Sequence, residues 1–235
     1  MSSRVKANQA KRVVREQLAR EERRRRSIIV SVVAALALLI AGLVGWGIYA
    51  NQAPPPDYAI PAHASGDHTG IVAASGPATV DFYLDFLCPI CQKFETDSAS
   101  TVDDLVAKKK ITLVYHPIAI LDDRTSPAGY STRAGSAAGC AADAGKFPEY
   151  LKALYAKQPA ENSAGLTDDQ LVQIGTDAGI TDASFGQCVR DHKYTAWMAH
   201  NTDTAAGKGI QSTPTVLVNG KQINATSSDL TKAVG

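Results

Sequence analysis

Residues 78–91 read ATVDFYLDFLCPIC, and residues 92–110 continue QKFETDSASTVDDLVAKKK. The stretch 78–87 is rich in β-branched and aromatic residues and follows Gly76-Pro77, the composition and punctuation of a strand. Beyond the two cysteines, Phe94, Val102, Leu105 and Val106 form an apolar stripe at helical spacing. The lysines at 108–110 sit at the far end, where the helix dipole favours cations. The segment therefore predicts a strand, a turn carrying Cys88-Pro89-Ile90-Cys91, and a helix.

That placement gives the cysteines a chemistry. C-x-x-C sets two sulfurs one helical turn apart. A sulfur at the helix start faces unpaired N–H groups and the positive end of the dipole, which stabilise its thiolate. The thiolate is the form that attacks or leaves in disulfide exchange. Cys88 is thus expected to be the exposed, anionic, attacking sulfur, and Cys91 the sheltered resolving one. Pro89 suits the first turn, where no N–H is required. Three other uses of C-x-x-C compete. Structural zinc normally takes four ligands in paired motifs, but Cys140 and Cys188 are isolated and no histidine is close in sequence. A c-type haem needs His after the second Cys, and Gln92 stands there. A purely structural bridge across the motif is the third. Neither a metal nor a cofactor is expected.

Outward from the motif, ITLVY at 111–115 reads as a second strand ended by His116-Pro117. From about 125 to 209 the pattern turns helical and Ala-rich. Helices are expected over 130–144, from Phe147-Pro148, after the capping-box residues Thr167–Gln170, after Thr181-Asp182, and as one long element through 188–207. Thr213-Pro214 then leads into TVLV, Asn219-Gly220 and KQIN, a hairpin signal, and a short helix follows Ser227. The order β, α, β, helical block, hairpin, helix predicts an α/β fold: a mixed sheet with an all-helical insertion at about 125–209.

The 235 residues carry a net charge of only +1, with 45% hydrophobic and 20% charged residues. Residues 1–26 hold ten Lys/Arg and three Glu, net +7; the remainder holds 14 basic and 20 acidic residues, net −6. Residues 28–50 are uncharged and apolar over 23 positions, and about 20 suffice to cross a bilayer as a helix. This is longer than a signal-peptide core and lacks a convincing small-x-small cleavage site, so an uncleaved anchor is expected over 27–50. The basic cluster Arg23–Arg26 abuts its N-terminal end and the far flank has no Lys or Arg, which places the N-terminus in the cytoplasm and the rest outside it. The basic segment 1–26 then suits anionic lipid rather than nucleic acid. Residues 51–75 read as a linker, Pro-rich at 54–56, and the folded domain is expected over 76–235. All four cysteines, Cys88, Cys91, Cys140 and Cys188, fall on the predicted outer side, where disulfides persist.

VDFYLDFLCPIC (80–91), AAGCAADAGKFPEYLKALY (137–155) and GIQSTPTVLVNGKQI (209–223), in that order and spacing, resemble the DsbA-like thiol oxidases of the thioredoxin superfamily. The likeness is strongest to their membrane-anchored actinobacterial members and covers roughly residues 70–235. The resemblance implies a thioredoxin-like fold and an extracytoplasmic enzyme that oxidises thiols of exported proteins. In that family the proline of the Thr-Pro pair is cis and faces the C-x-x-C; here it is Pro214, with Thr213 before it, as the substrate-binding pair. The resemblance also implies re-oxidation by a membrane partner of the DsbB or VKOR type. Two departures stand out. Many relatives carry an acid six positions before the first cysteine, where this chain has Phe82; Asp81 points to the other strand face, and Asp85 is expected to be solvated or to cap. The dipeptide between the cysteines is Pro-Ile, which offers Cys88 no donor and predicts a weaker oxidant than Pro-His. Cys140 and Cys188, both in the helical insertion, are expected to form a structural disulfide, with two free buried thiols as the alternative. His116 is expected to serve structure. The protein is expected to be monomeric. A reductase or isomerase on the same fold, and a metal-handling or binding module, remain as rival functions.

Overall fold

The structure, a computed structural model, describes residues 57–235 together with Gly42. The expected cytoplasmic segment 1–26, the rest of the expected span 27–50 and the start of the linker lie outside the described residues. No helix among the described residues is long and apolar enough to cross a membrane.

Five strands form one sheet in the order β1-β3-β2-β4-β5, with β1 at Ile71–Ala74, β2 at Ala78–Leu84, β3 at Ile111–Pro117, β4 at Thr215–Val218 and β5 at Lys221–Ile223. β2 and β3 run parallel, joined by helix α1 (Pro89–Ala107), as a parallel crossover requires. The other neighbours are antiparallel. The sheet is therefore mixed, and the helical insertion is present as α2 (Tyr130–Asp143), α3 (Phe147–Ala156), α4 (Asp168–Asp177), α5 (Ala183–Arg190) and α6 (Thr195–Gly207); α7 (Ser227–Val234) closes the domain. The central strands bury Val80, Phe82, Leu84, Ile111, Leu113 and Val216, and the insertion adds Tyr130, Tyr150, Leu151, Leu154 and Trp197 to the same core.

Several elements differ from expectation. Residues 57–75 are not a bare linker: they contain β1, and Ile71 is buried in the core. Four apolar residues, IVAA, between turn-forming neighbours carry no period-2 alternation to announce a strand. β2 stops at Leu84 rather than at residue 87, because the Asp85 side chain takes the Leu87 N–H and folds the chain into a turn. β3 extends through His116 to Pro117, where Leu84 is its partner. The long helix expected over 188–207 begins only at Thr195, because the helix expected after Asp182 runs on to Arg190. Between them His192 adopts φ 50°, and the Tyr194 N–H is taken by the Ser136 hydroxyl. The break swings Tyr194 and Trp197 into the core, which a continuous helix would not allow. The capping box at Thr167 and Gln170 is formed, with both reciprocal hydrogen bonds. Close helix packing shows at Gly175, where an added Cβ would stand 2.1 Å from a Phe185 ring carbon.

Candidate active site

The site is assembled by strand register. β2 is central and its C-terminal end delivers the chain to Cys88. β4 runs antiparallel to β2 with Thr215 opposite Tyr83. The residues just before β4 must therefore lie beside the residues just after β2. Thr213 and Pro214, 125 residues away in sequence, meet the motif for that reason. The Cys88 sulfur lies 3.4 Å from the Thr213 carbonyl oxygen, and the Thr213–Pro214 peptide is cis.

Cys88 is the N-cap of α1, with extended backbone (φ −71°, ψ 114°), and Pro89 opens the helix. The turn is held on both sides. The Cys88 N–H reaches the Asp85 carbonyl at 3.1 Å. The Gln158 side-chain amide donates to the carbonyls of Phe86 and Cys88 at 2.9 and 3.0 Å, and the Gln92 side chain donates to the Tyr155 carbonyl. Neither cysteine is bonded to another.

Exposure separates the two sulfurs less than expected. Cys88 is 5% exposed and Cys91 2%, and the Thr213 carbonyl stands against the first. Their hydrogen bonding distinguishes them instead. The Cys88 thiol is pulled down to about 6, first by a hydrogen bond from Cys91, which outweighs burial, with the Thr213 contact and the N–H groups of Cys91 and Ile90 adding to it. Those N–H groups are the unpaired donors of a helix start. Burial pushes the Cys91 thiol far up, and its interaction with Cys88 pushes it further. Beside the pair Ile90 is 64% exposed, the one large hydrophobic residue so exposed among the described residues.

Asp85, expected to be solvated or capping, is neither: it is wholly buried, at 0% exposure, and no side chain caps α1. One carboxylate oxygen accepts from the Leu87 N–H (2.8 Å) and the Ser131 hydroxyl (2.6 Å), the other from the Leu121 N–H (2.9 Å). It thereby ties the redox turn to the segment after β3 and to α2. Burial raises its pKa to about 6 against these donors, and the neighbouring Cys88 charge adds to the rise. A single Asp flanked by Phe and Leu carries no sequence sign of three donors arriving from three segments. Glu95 was also missed. It lies four residues after Cys91, hence on the same face of α1, and that spacing was the available signal. Burial raises its pKa to about 7, with Lys152 opposing.

His116 does not join the site. Its ring is buried, stacked on Tyr83 at 4.4 Å, and hydrogen-bonded to Asp81 (3.0 Å) and the Thr69 carbonyl (2.9 Å). Cys140 and Cys188 are joined across α2 and α5 as a disulfide, S–S 2.03 Å. No cluster of metal-ligating side chains occurs among the described residues.

Residues 67–235 match the profile of a protein family described as thioredoxin. Among solved structures, the chain is similar to the reduced disulfide bond oxidoreductase DsbG of Mycobacterium tuberculosis: 31% identity, 73% of this chain and 84% of that one, TM-score 0.60. It is likewise similar to oxidised DsbA of the same organism: 32% identity, 75% and 88% coverage, TM-score 0.61. BdbD of Bacillus subtilis shares the fold at 19% identity, with 76% and 97% coverage and TM-score 0.63. Among curated sequences, the serine/threonine-protein kinase PknE of M. tuberculosis is 30% identical over 168 residues, covering 67% of this chain. The chain spans about 30% of that protein's length.

Proposed function

Because the chain belongs to the thioredoxin family and is a DsbA-like thiol–disulfide oxidoreductase, we propose that it works as an extracytoplasmic oxidase that introduces disulfides into exported proteins. Cys88 and Cys91 are the redox pair. A reduced substrate attacks the Cys88–Cys91 disulfide at Cys88, forming a mixed disulfide and releasing Cys91. A second substrate thiol then attacks the substrate sulfur and releases Cys88 as thiolate. Two electrons pass to the enzyme for each disulfide made.

The place of Cys88 at the start of α1 supports the direction: the N–H groups of Ile90 and Cys91 help hold its thiol below its ordinary range, while burial holds Cys91 above it. A stabilised Cys88 thiolate favours the reduced enzyme, and an enzyme whose reduced form is favoured is an oxidant. Thr213 and Pro214 border the Cys88 sulfur and form the seat for an extended substrate segment, whose backbone pairs beside them. Exposed Ile90 adds an apolar contact. The Cys140–Cys188 bridge serves stability. The uncharged stretch 27–50 anchors the chain, with residues 1–26 against anionic lipid on the cytoplasmic side, and a membrane protein of the DsbB or VKOR type re-oxidises the dithiol.

The test is an equilibrium titration of the full chain against glutathione, coupled to oxidation of a reduced, unfolded substrate protein. The oxidase reading expects a potential well above that of thioredoxin, about −270 mV, and substrate disulfides formed at rates abolished by C88S. A potential at or below the thioredoxin value, with reduction of substrate disulfides outpacing their formation, assigns the reductase direction instead.

A further inference from the structure

The helical insertion reaches the redox turn through the end of α3. Gln158 stands two residues beyond Ala156 and is half-buried. Its own N–H is taken by the Tyr155 carbonyl at 3.2 Å, so the helix end fixes its place. Its side-chain nitrogen donates to the Phe86 carbonyl at 2.9 Å and to the Cys88 carbonyl at 3.0 Å. Both partners only accept, so the nitrogen of the amide faces them, with both N–H bonds engaged. Phe86 is 1% exposed, and among the described residues its carbonyl has no other donor.

Two further bonds join the same elements. The Tyr155 hydroxyl donates to the Asp85 carbonyl at 3.3 Å, and Gln92 of α1 returns one to the Tyr155 carbonyl. The Tyr155 ring packs against Phe86 with centroids 5.4 Å apart. The carbonyls of Asp85, Phe86 and Cys88 thus all accept from residues 155–158. The bond to Cys88 lands on the residue that carries the reactive sulfur. That carbonyl also accepts the first bond of α1, from the Gln92 N–H at 3.2 Å. Holding the carbonyls of Phe86 and Cys88 together fixes the backbone of Leu87 and Cys88 between them. It thereby fixes the direction of the Cys88 sulfur, toward the N–H groups of Ile90 and Cys91 and 3.4 Å from the Thr213 carbonyl.

We infer that Gln158 is a positioning residue for Cys88 and that its clasp on the turn favours the dithiol form of the enzyme over the disulfide form. This role rests on disulfide exchange at Cys88–Cys91 and deepens the oxidase reading, since it names a source of the pair's oxidising power. The asymmetry has a covalent cause. In the disulfide form the bond to Cys91 itself ties Cys88 to the first turn of α1. In the dithiol form that tie is gone, and hydrogen bonds alone keep the Cys88 sulfur at the donors of the helix start. A clasp redundant in one state and needed in the other shifts the balance between them. With glutathione, reduction breaks the Cys88–Cys91 bond and gives the enzyme two electrons and one proton, leaving Cys88 as thiolate and Cys91 as thiol. Two glutathione thiols supply these, form one glutathione disulfide and release the second proton.

The motif itself leaves room for such a device. Pro89 has no N–H and the Ile90 side chain has no donor, so side-chain support for the turn comes from outside the four residues, and the insertion supplies it. The Cys88 thiol is pulled down to about 6, first by the hydrogen bond from Cys91, against burial, with Thr213 and the N–H groups of Cys91 and Ile90 adding to it. Each of these contacts depends on where the Cys88 backbone points. Two backbone-directed hydrogen bonds of ordinary strength, felt mainly in one redox state, amount to about 3- to 30-fold in the equilibrium constant.

The experiment equilibrates the full chain with reduced and oxidised glutathione, as wild type, Q158A and Q158M. Methionine keeps the length and bulk of the side chain without its N–H groups. Both variants should shift the Cys88–Cys91 equilibrium about 3- to 30-fold toward the disulfide form, a potential lower by about 15–45 mV. The Cys88 thiolate, followed by its ultraviolet absorbance, should form at higher pH in both. Urea melts of each redox form should show the dithiol form losing more stability than the disulfide form, by the amount of the redox shift. Equal losses in the two forms with an unmoved equilibrium mark a structural role only and overturn the proposal. A shift in Q158A that Q158M lacks overturns it too, since packing then explains the effect. Should Q158A fail to fold, Q158M carries the test, and a Q158M equilibrium within about twofold of wild type overturns the role of Gln158 alone. A wild-type chain that forms no Cys88–Cys91 disulfide at any glutathione ratio overturns the exchange reading itself and this proposal with it.

Discussion

Breaking the Cys140–Cys188 bridge with C140A/C188A should cost the domain about 4 kcal/mol. The magnitude follows from the loop it closes. The two cysteines are 48 residues apart, and the chain-entropy relation assigns a loop of that length about 4 kcal/mol at 25 °C. Cys140 is buried on the Ala-rich face of α2, so its truncation also removes core contacts, worth about 1 kcal/mol. The native arrangement should nonetheless survive. Helix α5 stays seated through Phe185, whose ring packs edge-on against Tyr150 at 5.5 Å and beneath Gly175. Asp182 still caps it. The loss therefore falls on the unfolded chain, which becomes freer. In a domain of this size that corresponds to a Tm lower by about 8–16 °C. Urea denaturation of wild type, of wild type with excess reductant, and of the double variant measures it. The double variant should fall about 1 kcal/mol below reduced wild type, the share of the truncation, and its Cys88–Cys91 equilibrium with glutathione should stay put, since the bridge joins α2 to α5 away from the redox turn. A loss below about 1 kcal/mol in both treated samples would refute the reasoning, as would a shifted redox equilibrium in C140A/C188A.

Three further outcomes are expected. Burial raises the Glu95 pKa from the ordinary 4.5 to about 7, so the stability it leaves intact below pH 4.5 is lost as pH climbs through about 7. E95Q, neutral throughout, should gain about 1–3 kcal/mol over wild type at about pH 8 and nothing at about pH 4, read by urea melts at both; equal gains at both would contradict the linkage. I90H should raise the reduction potential by about 30–60 mV, since a charge-assisted hydrogen bond to the Cys88 thiolate is worth about 1.5–3 kcal/mol in favour of the reduced form; a wild-type potential at or above that of I90H defeats this. D85N removes a carboxylate whose pKa Cys88 helps to raise, so the Cys88 thiolate, titrated by its ultraviolet absorbance, should form at lower pH. Because the Asn amide then confronts the Leu121 N–H, unfolding should cost about 1–3 kcal/mol less at about pH 5. A Cys88 titration that moves upward would contradict the coupling.

How much of this was legible before folding varied by element. The strand–turn–helix around Cys88 was legible because β-branched density, a proline at the first helical turn and a terminal lysine run all act within a few residues. The capping box at Thr167 and the Asn219-Gly220 hairpin were legible for the same reason. β1 was not, since four residues of mixed size carry almost no period and owe their conformation to pairing with β3. The break between α5 and α6 was equally silent, because what decides it is the burial of Tyr194 and Trp197 against residues far away in sequence.

The site divides along the same line. Cys88 and Cys91 declare themselves by spacing, and helix geometry alone dictates that one caps the helix while the other lies a turn inside. Asp85 and Glu95 declare nothing. Whether a carboxylate is wet or buried depends on which segments close over it, and here Leu121, Ser131 and Leu87 converge on Asp85 while α3 closes over Glu95. Local sequence settled which sulfurs could react. Three-dimensional packing alone settled their environment, because desolvation and long-range hydrogen bonds, which set protonation, exist only once distant parts of the chain are in contact.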